Sequence, residues 1–334
     1  MRVGMYYSNH DVRVEEMPRP KIGSGELLVR VEASGVCGTD VVEWYRRDKV
    51  PLVLGHEIAG EIVESGEGVS QHRIGGRISA SHHVPCGECH YCLMDHHSVC
   101  DTLRKTKFYP GGFSEFLRLP AINVEKGVYK IPDNVSYEEA TFTEPLGCAI
   151  RGQRLAGYKK GQRLLVIGSG ISGLLHIQLA KSERFGKIIA TDINDYRLKK
   201  AIEFGADQAI NAKDFKGEKT AYLVILCAGA KSAFEQALKA VDRGGTILVF
   251  ASAGEGAKLE LPINEFFWKN EVTLLSSYAA NPKEHLDSLE LIKERKINVK
   301  DMITHRFRLK DIQKGFKLVA EAGESIKVII EPNK

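Results

Sequence analysis

The sequence predicts a mixed α/β chain of two domains, a β-rich antiparallel domain interrupted by a doubly wound parallel-sheet domain. Three observations carry that prediction. The first third is a series of short runs punctuated throughout by Gly and Pro, the texture of a bent antiparallel sheet. Between about residues 146 and 275, apolar strand-sized runs alternate with helical patterns, as a parallel sheet covered on both faces requires. From about residue 276 the mixed texture of the beginning returns. The parallel-sheet segment therefore reads as an insertion that divides the other domain into residues 1–145 and 276–334.

Taken in order, Glu26 to Ala33 and Ile58 to Glu64 read as strands of the first domain. In the inserted segment, Arg163 to Ile167 is a compact apolar strand, and Ile171 to Arg184 shows helical spacing. Lys187 to Asp192, Tyr222 to Leu226 and Thr246 to Phe250 are further strands, with helices over Asp195 to Phe204 and around Ala233 to Val241. The last segment holds a helix from about Lys283 to Lys296 and strands at Ile303 to Phe307 and Ser325 to Ile330.

Composition excludes several classes. The chain has 334 residues, enough for two cores. It is 43% hydrophobic and 27% charged, in the ordinary range for a globular protein. The net charge of +4 has no basic run behind it, so no nucleic-acid partner is expected. No apolar stretch approaches the roughly 20 residues that span a bilayer, so no membrane partner is expected. The opening Met1-Arg2-Val3-Gly4-Met5 lacks the apolar centre of a signal peptide, and the expected location is the cytoplasm.

Gly168-Ser169-Gly170-Ile171-Ser172-Gly173 is a G-x-G-x-x-G run between a strand and a helix, the context in which this weak motif becomes a dinucleotide signal. The first glycine permits the tight turn, the second lets backbone approach a pyrophosphate, and the third lets helix pack on strand. The amides that open the helix at Ile171 and Ser172 face the phosphates. Asp192 ends the next strand, where a carboxylate accepts the ribose hydroxyls and repels a 2′-phosphate. The expected cofactor is NAD. Arg197 stands nearby and could pair with a phosphate or stack on adenine.

Seven cysteines occur. Cys86, Cys89, Cys92 and Cys100 crowd one short segment, about residues 84–102, a spacing that suits a closed tetrahedral zinc site. An iron–sulfur cluster is the competing metal, and a redox-active Cys-x-x-Cys leaves the other two cysteines without a role. A second set is scattered: Cys37, His56, Glu57 and Glu144. One thiolate, one imidazole and one or two carboxylates make an open catalytic zinc site, but spacing alone does not assemble them.

Together these motifs resemble the zinc-containing alcohol dehydrogenases of the medium-chain dehydrogenase/reductase superfamily. Gly55 to Val69 is similar to that family's zinc signature at each fixed position, and the cysteine lobe, glycine loop and Asp192 follow in the family's order. Cys37-Gly38-Thr39-Asp40 and Glu144-Pro145-Leu146 look most like the sorbitol, threonine and polyol dehydrogenases. The resemblance covers essentially the whole chain. It implies a GroES-like catalytic domain interrupted by a Rossmann domain, a homodimer or homotetramer, and two zinc ions per chain. It implies catalytic zinc at Cys37, His56 and Glu144, with Glu57 either a ligand or an exchanging neighbour, and Thr39 as the hydroxyl that touches the substrate oxygen. One position departs: relatives commonly carry a proton-relaying histidine five residues after the cysteine ligand, where this chain has Val42. Glu43 is the nearest substitute by sequence.

The expected reaction is hydride transfer between NAD and a secondary alcohol or polyol, or the matching ketone, with zinc acting on the substrate oxygen. The rival expectations are a zinc-free quinone or enoyl reductase of the same superfamily, and a nucleotide-binding protein without turnover.

Overall fold

The computed structural model describes all 334 residues. The chain divides into two compact units, one of Met1–Gly147, Ala279–Arg295 and Val299–Lys334, the other of Cys148–Tyr278 and Lys296–Asn298. No helix is long and apolar enough to cross a membrane.

The first unit is built around strand Leu27–Gly35, which pairs antiparallel with Glu57–Ser65, Phe116–Leu119 and Lys327–Glu331. Its partner Glu57–Ser65 continues the sheet to Arg77–Ala80 and then Val128–Lys130. Two irregularities, at Leu28/Val29 and Val31/Ala33, interrupt the register with Glu57–Ser65; such bulges bend a strand and raise its twist. Val29, Val31, Ile58, Ile62, Ile78, Leu117 and Leu119 fill one core. The register also decides the site. Gly35 pairs with Glu57 on one side and with Ile329 on the other, so residues far apart in sequence meet at one end of the strand.

A hairpin of Arg2–Ser8 and Asp11–Glu16, joined by Leu52–Val53, forms a separate three-stranded sheet. Helix Ile312–Glu321 belongs to the same cluster, with Ile312 and Phe316 packed with Tyr6 and Phe113. Neither the hairpin nor this helix was legible as a separate signal. The hairpin's Asp11–Glu16 strand is mostly half-buried or exposed, with only Val12 enclosed.

The second unit is a six-stranded parallel sheet in the order Gln208–Asn211, Ile188–Asp192, Leu164–Ile167, Ala221–Leu226, Val241–Val249, Thr273–Ser276. This is the doubly wound order, with a switch point between the third and fourth strands of that order. Leu164–Ile167 and Ile188–Asp192 are buried at every residue, which is why they read as unbroken apolar runs. Ile167 pairs with Thr191 and with Leu226, so Gly168, Asp192 and Cys227 come next, side by side at the C-terminal end of these strands. The edge strands Gln208–Asn211 and Thr273–Ser276 are half-exposed and carry too few apolar residues to stand out in sequence.

Candidate active site

Cys86, Cys89, Cys92 and Cys100 are all free thiols. Their sulfurs lie 3.5 Å (Cys89–Cys92), 3.6 Å (Cys86–Cys100) and 3.9 Å (Cys86–Cys92) apart. A tetrahedral zinc with Zn–S bonds of about 2.3 Å needs S···S edges of about 3.8 Å. The lobe is shaped for that ion. Backbone N–H groups of Cys86 and Cys89 also donate to the sulfurs of Cys100 and Cys86, which stabilises thiolate charge. Burial works against ionisation of Cys100, yet the backbone N–H groups of Cys86, Leu103 and Thr102, with the Cys86 thiol, bring it down to about 6.

The second cluster lies in the first unit. Ligand atoms of Cys37, His56 and Glu57 lie within 4.8 Å of one another. Cys37 caps a short 3₁₀ turn, Gly38–Val41: its sulfur accepts from the Thr39 N–H at 3.5 Å, and its own N–H donates to Asp40 at 3.1 Å. That reciprocal cap fixes the direction of the thiol. The Thr39 hydroxyl sits 3.3 Å from the same sulfur, which places it at the edge of the cluster.

Asp40 is fully buried, 3.4 Å from His56 Nδ1 and 3.7 Å from Arg46. Arg46 also donates to the Thr39 carbonyl at 3.1 Å. Burial alone would raise the Asp40 carboxyl, but His56 and Arg46 hold it below its usual value. Burial likewise opposes charge on His56, yet Asp40 and Cys37 raise it well above its ordinary value. The surroundings of His56 thus favour positive charge there, a field that a divalent cation would also satisfy. With Nδ1 held by Asp40, Nε2 is the nitrogen left for a metal.

Glu57 is buried and ion-paired with Lys327. Glu144 stands half-buried in the first turn of helix Thr143–Leu155, and its carboxylate is not among the three groups that close to 4.8 Å. Val42 ends the 3₁₀ turn. Glu43, the substitute by sequence, is exposed and accepts the Asn9 N–H at 2.8 Å. The aromatic residues Trp44 and Tyr45, which follow the 3₁₀ turn, are exposed, as is Tyr278 in the second unit, while Phe108 is core.

Sequence reasoning gave no role to Asp40, His82 or Lys327. His82 lies with its ring 4.9 Å from that of His56 and 3.6 Å from that of His83. Its backbone is held by Asn123, which donates to the carbonyls of Ser81 and His82. Burial, reinforced by neighbouring histidines, keeps its pKa well below the ordinary value. The one signal in sequence is Lys327, a charge directly before the apolar run Val328-Ile329-Ile330.

In the second unit Gly168 has φ of +93°, a conformation that other residues rarely adopt. A Cβ on Gly173 would collide with the Gly168 carbonyl, so the third glycine is required by close packing. Helix Ile171–Ser182 begins at Gly170 without a side-chain cap, leaving its first amides for an anion. Asp192 accepts the Ser169 N–H at 2.7 Å and the Asn194 N–H at 2.9 Å, so its carboxylate braces the glycine loop. The Arg197 guanidinium lies over Gly170, 3.6 Å from where a Cβ would stand.

A family model for the alcohol dehydrogenase GroES-like domain matches residues 23–133, and one for zinc-binding dehydrogenases matches residues 172–294. The chain is 32% identical over 335 residues to a sorbitol dehydrogenase of Halalkalibacterium halodurans, covering 96% of this chain and 95% of that one. This chain belongs to the zinc-binding alcohol dehydrogenase family. Another member, an L-threonine 3-dehydrogenase of Bacillus licheniformis, is also 32% identical, over 95% of this chain and 94% of its own. A structure from Sinorhizobium meliloti 1021, described as a zinc-binding dehydrogenase bound to NADP, superposes with a TM-score of 0.88 at 26% identity over 99% of both chains. This member is an oxidoreductase of mixed α/β fold.

Proposed function

We propose that this chain passes hydride between NAD and a secondary alcohol or polyol, or the matching ketone, at the cluster of Cys37, His56 and Glu57. The observation that carries the reading is the Thr39 hydroxyl 3.3 Å from the Cys37 sulfur, beside three groups within 4.8 Å of one another. When bound, zinc would supply a Lewis acid for the substrate oxygen and NAD the hydride acceptor. The residues that would hold them are Cys37, His56 and one or both of Glu57 and Glu144 for the metal, and the 168–173 loop, Asp192 and Arg197 for the nucleotide.

The remaining work belongs to the chain. Thr39, exposed at the edge of the cluster, would accept the substrate hydroxyl proton as its own passes to water or to a ribose hydroxyl of the nucleotide. Arg46 and Asp40 keep the 3₁₀ turn and the His56 ring in place. Val42 carries no proton, so the path outward from Thr39 does not pass through position 42. Asp192 supports NAD over NADP, because a 2′-phosphate would meet a carboxylate.

The cytoplasm is the proposed location, supported by seven cysteines with no disulfide among them. A homodimer or homotetramer is supported by the open edge strand Thr273–Ser276 and by Trp268, which is 76% exposed, since unpaired edges and large exposed aromatics are usually covered. The test is NAD reduction with sorbitol, L-threonine, butanediols and simple secondary alcohols, on protein whose zinc content is measured. Turnover with one of these classes is expected. Full zinc occupancy with no turnover on any alcohol would favour a nucleotide-binding protein instead.

A further inference from the structure

Strands Gln208–Asn211 and Ala221–Leu226 belong to one parallel sheet, with Ile188–Asp192 and Leu164–Ile167 between them. Only residues 212–220 connect the two, as a turn followed by irregular backbone. That connection must cross three strand spacings, about 14 Å, and return along the strands by about 14 Å more. The diagonal of about 20 Å exceeds the roughly 14 Å that this many residues reach as a helix and lies within their ~30 Å as extended chain. The neighbouring connections hold helices Asp195–Glu203 and Lys231–Ala240. This one is too short for the usual crossover helix.

The sheet face beneath the connection is left as an open groove of about 370 Å³. Its floor is apolar, formed by Ile189, Ile210 and the ring of Phe215. Gly217 makes room for that ring, since a Cβ there would overlap it. The rim is cationic: Arg163, Lys187 and Lys216 line the groove against one carboxylate, Asp214. Leu164 pairs with Ile188, so Arg163 and Lys187 stand side by side just before their strands. Like charges so placed repel. Asp242 answers Arg163 in part, at 3.5 Å, whereas Lys187 and Lys216 are exposed and enter no ion pair. Gly168 and Asp192 lie at the other ends of the same two strands, so this cationic rim is separate from the nucleotide loop.

We propose that the groove is a second binding site, for a small amphipathic anion. A phosphoryl or carboxylate head would sit among Lys187, Lys216 and Arg163, and a ring or short chain would lie on Ile189, Ile210 and Phe215. A purely inorganic anion would leave the apolar floor in water, and an uncharged apolar molecule would leave the cations unanswered; an amphipathic anion satisfies both. The volume suits a small molecule. The inference does not depend on the reading of either metal cluster.

The test is calorimetric titration of the zinc-loaded protein with phenyl phosphate in saturating NAD, which keeps the probe from the glycine loop. Saturable binding is expected, and inorganic phosphate should bind at least about tenfold more weakly, because it covers none of the apolar floor. Lys187→Gln/Lys216→Gln should weaken phenyl phosphate by about tenfold or more, through loss of charge-assisted hydrogen bonds to the head. Both lysines are exposed, so this variant is expected to fold. Lys310→Gln/Lys317→Gln removes the same charge from exposed positions of the first unit and should stay within about twofold of wild type, since distant exposed charges are screened. No binding to wild type, equal affinity for inorganic phosphate, or an equal loss in the two double variants overturns the proposal. The paired variants locate the site whether or not NAD occupies the glycine loop, so failure of the dehydrogenase reading and failure of this one are distinguishable.

Discussion

Asp192→Asn separates two jobs that one carboxylate performs. In the folded chain each oxygen accepts a backbone N–H, from Ser169 at 2.7 Å and from Asn194 at 2.9 Å, and the residue is only 8% exposed. An amide of the same shape keeps one acceptor and turns its NH₂ toward a backbone donor. A hydrogen bond to a charged group is worth about 1.5–3 kcal/mol; losing one and weakening the other should cost about 2–4 kcal/mol of stability without nucleotide. Urea unfolding of the metal-loaded protein measures that loss. The second job is selectivity. A 2′-phosphate brought to about 4 Å from the carboxylate meets a repulsion of about 4 kcal/mol at an effective dielectric constant of 20, close to a thousandfold in kcat/KM. Asp192→Asn should remove most of that discrimination, lowering kcat/KM for NAD and raising the NADP/NAD ratio by about two orders of magnitude or more. The assay is initial rates with both nucleotides on one alcohol. A wild-type enzyme that prefers NADP, or a substitution that leaves the ratio unchanged, would refute the reasoning and assign selectivity to Arg197.

The remaining expectations concern metal, proton and pH. Cys89→Ser should lower the melting temperature and release the lobe zinc, whereas Cys37→Ser should abolish turnover with less effect on stability; elemental analysis and calorimetry of the two proteins distinguish these. Thr39→Val should lower kcat by roughly 10²–10⁴-fold with zinc retained, the usual range for a lost proton-transfer group; near-normal turnover would direct attention to Glu57 or Glu144. Burial depresses His176 to about 3 and His285 to about 4. The unfolded chain takes these protons near pH 6.5 while the folded chain does not, so their stability contribution is complete above that pH and is lost as pH falls toward 4. Urea midpoints should fall accordingly between pH 7.5 and 5, and His176→Leu should flatten the slope; an unchanged slope would show that His176 contributes nothing to it.

The parallel-sheet unit was legible because its residues obey local rules. Leu164–Ile167 and Ile188–Asp192 are buried on both faces and so read as apolar runs. Gly168, with its positive φ, and Gly173, whose Cβ would strike the Gly168 carbonyl, answer demands that lie within six residues. The cysteine lobe was legible for the same reason, since its four ligands share one short loop. The hairpin at Arg2–Ser8 and the edge strand Thr273–Ser276 were not, because half-exposed strands carry weak patterns.

By itself, then, the sequence determined the order of domains, the glycine turn that opens a helix and the gathering of four cysteines in one lobe, each a matter of residues near one another along the chain. Tertiary structure decided the second metal cluster. Cys37, His56 and Glu57 come together only because strand Leu27–Gly35 pairs with Glu57–Ser65 in one register. It also decided that Asp40 faces His56, and that Lys327, to which the sequence assigned no role, is the counter-ion of Glu57 across 270 residues of chain. Spacing along a chain constrains contacts only over a few residues; beyond that, which side chains meet is set by strand pairing, and one residue of register would turn every one of them to the opposite face.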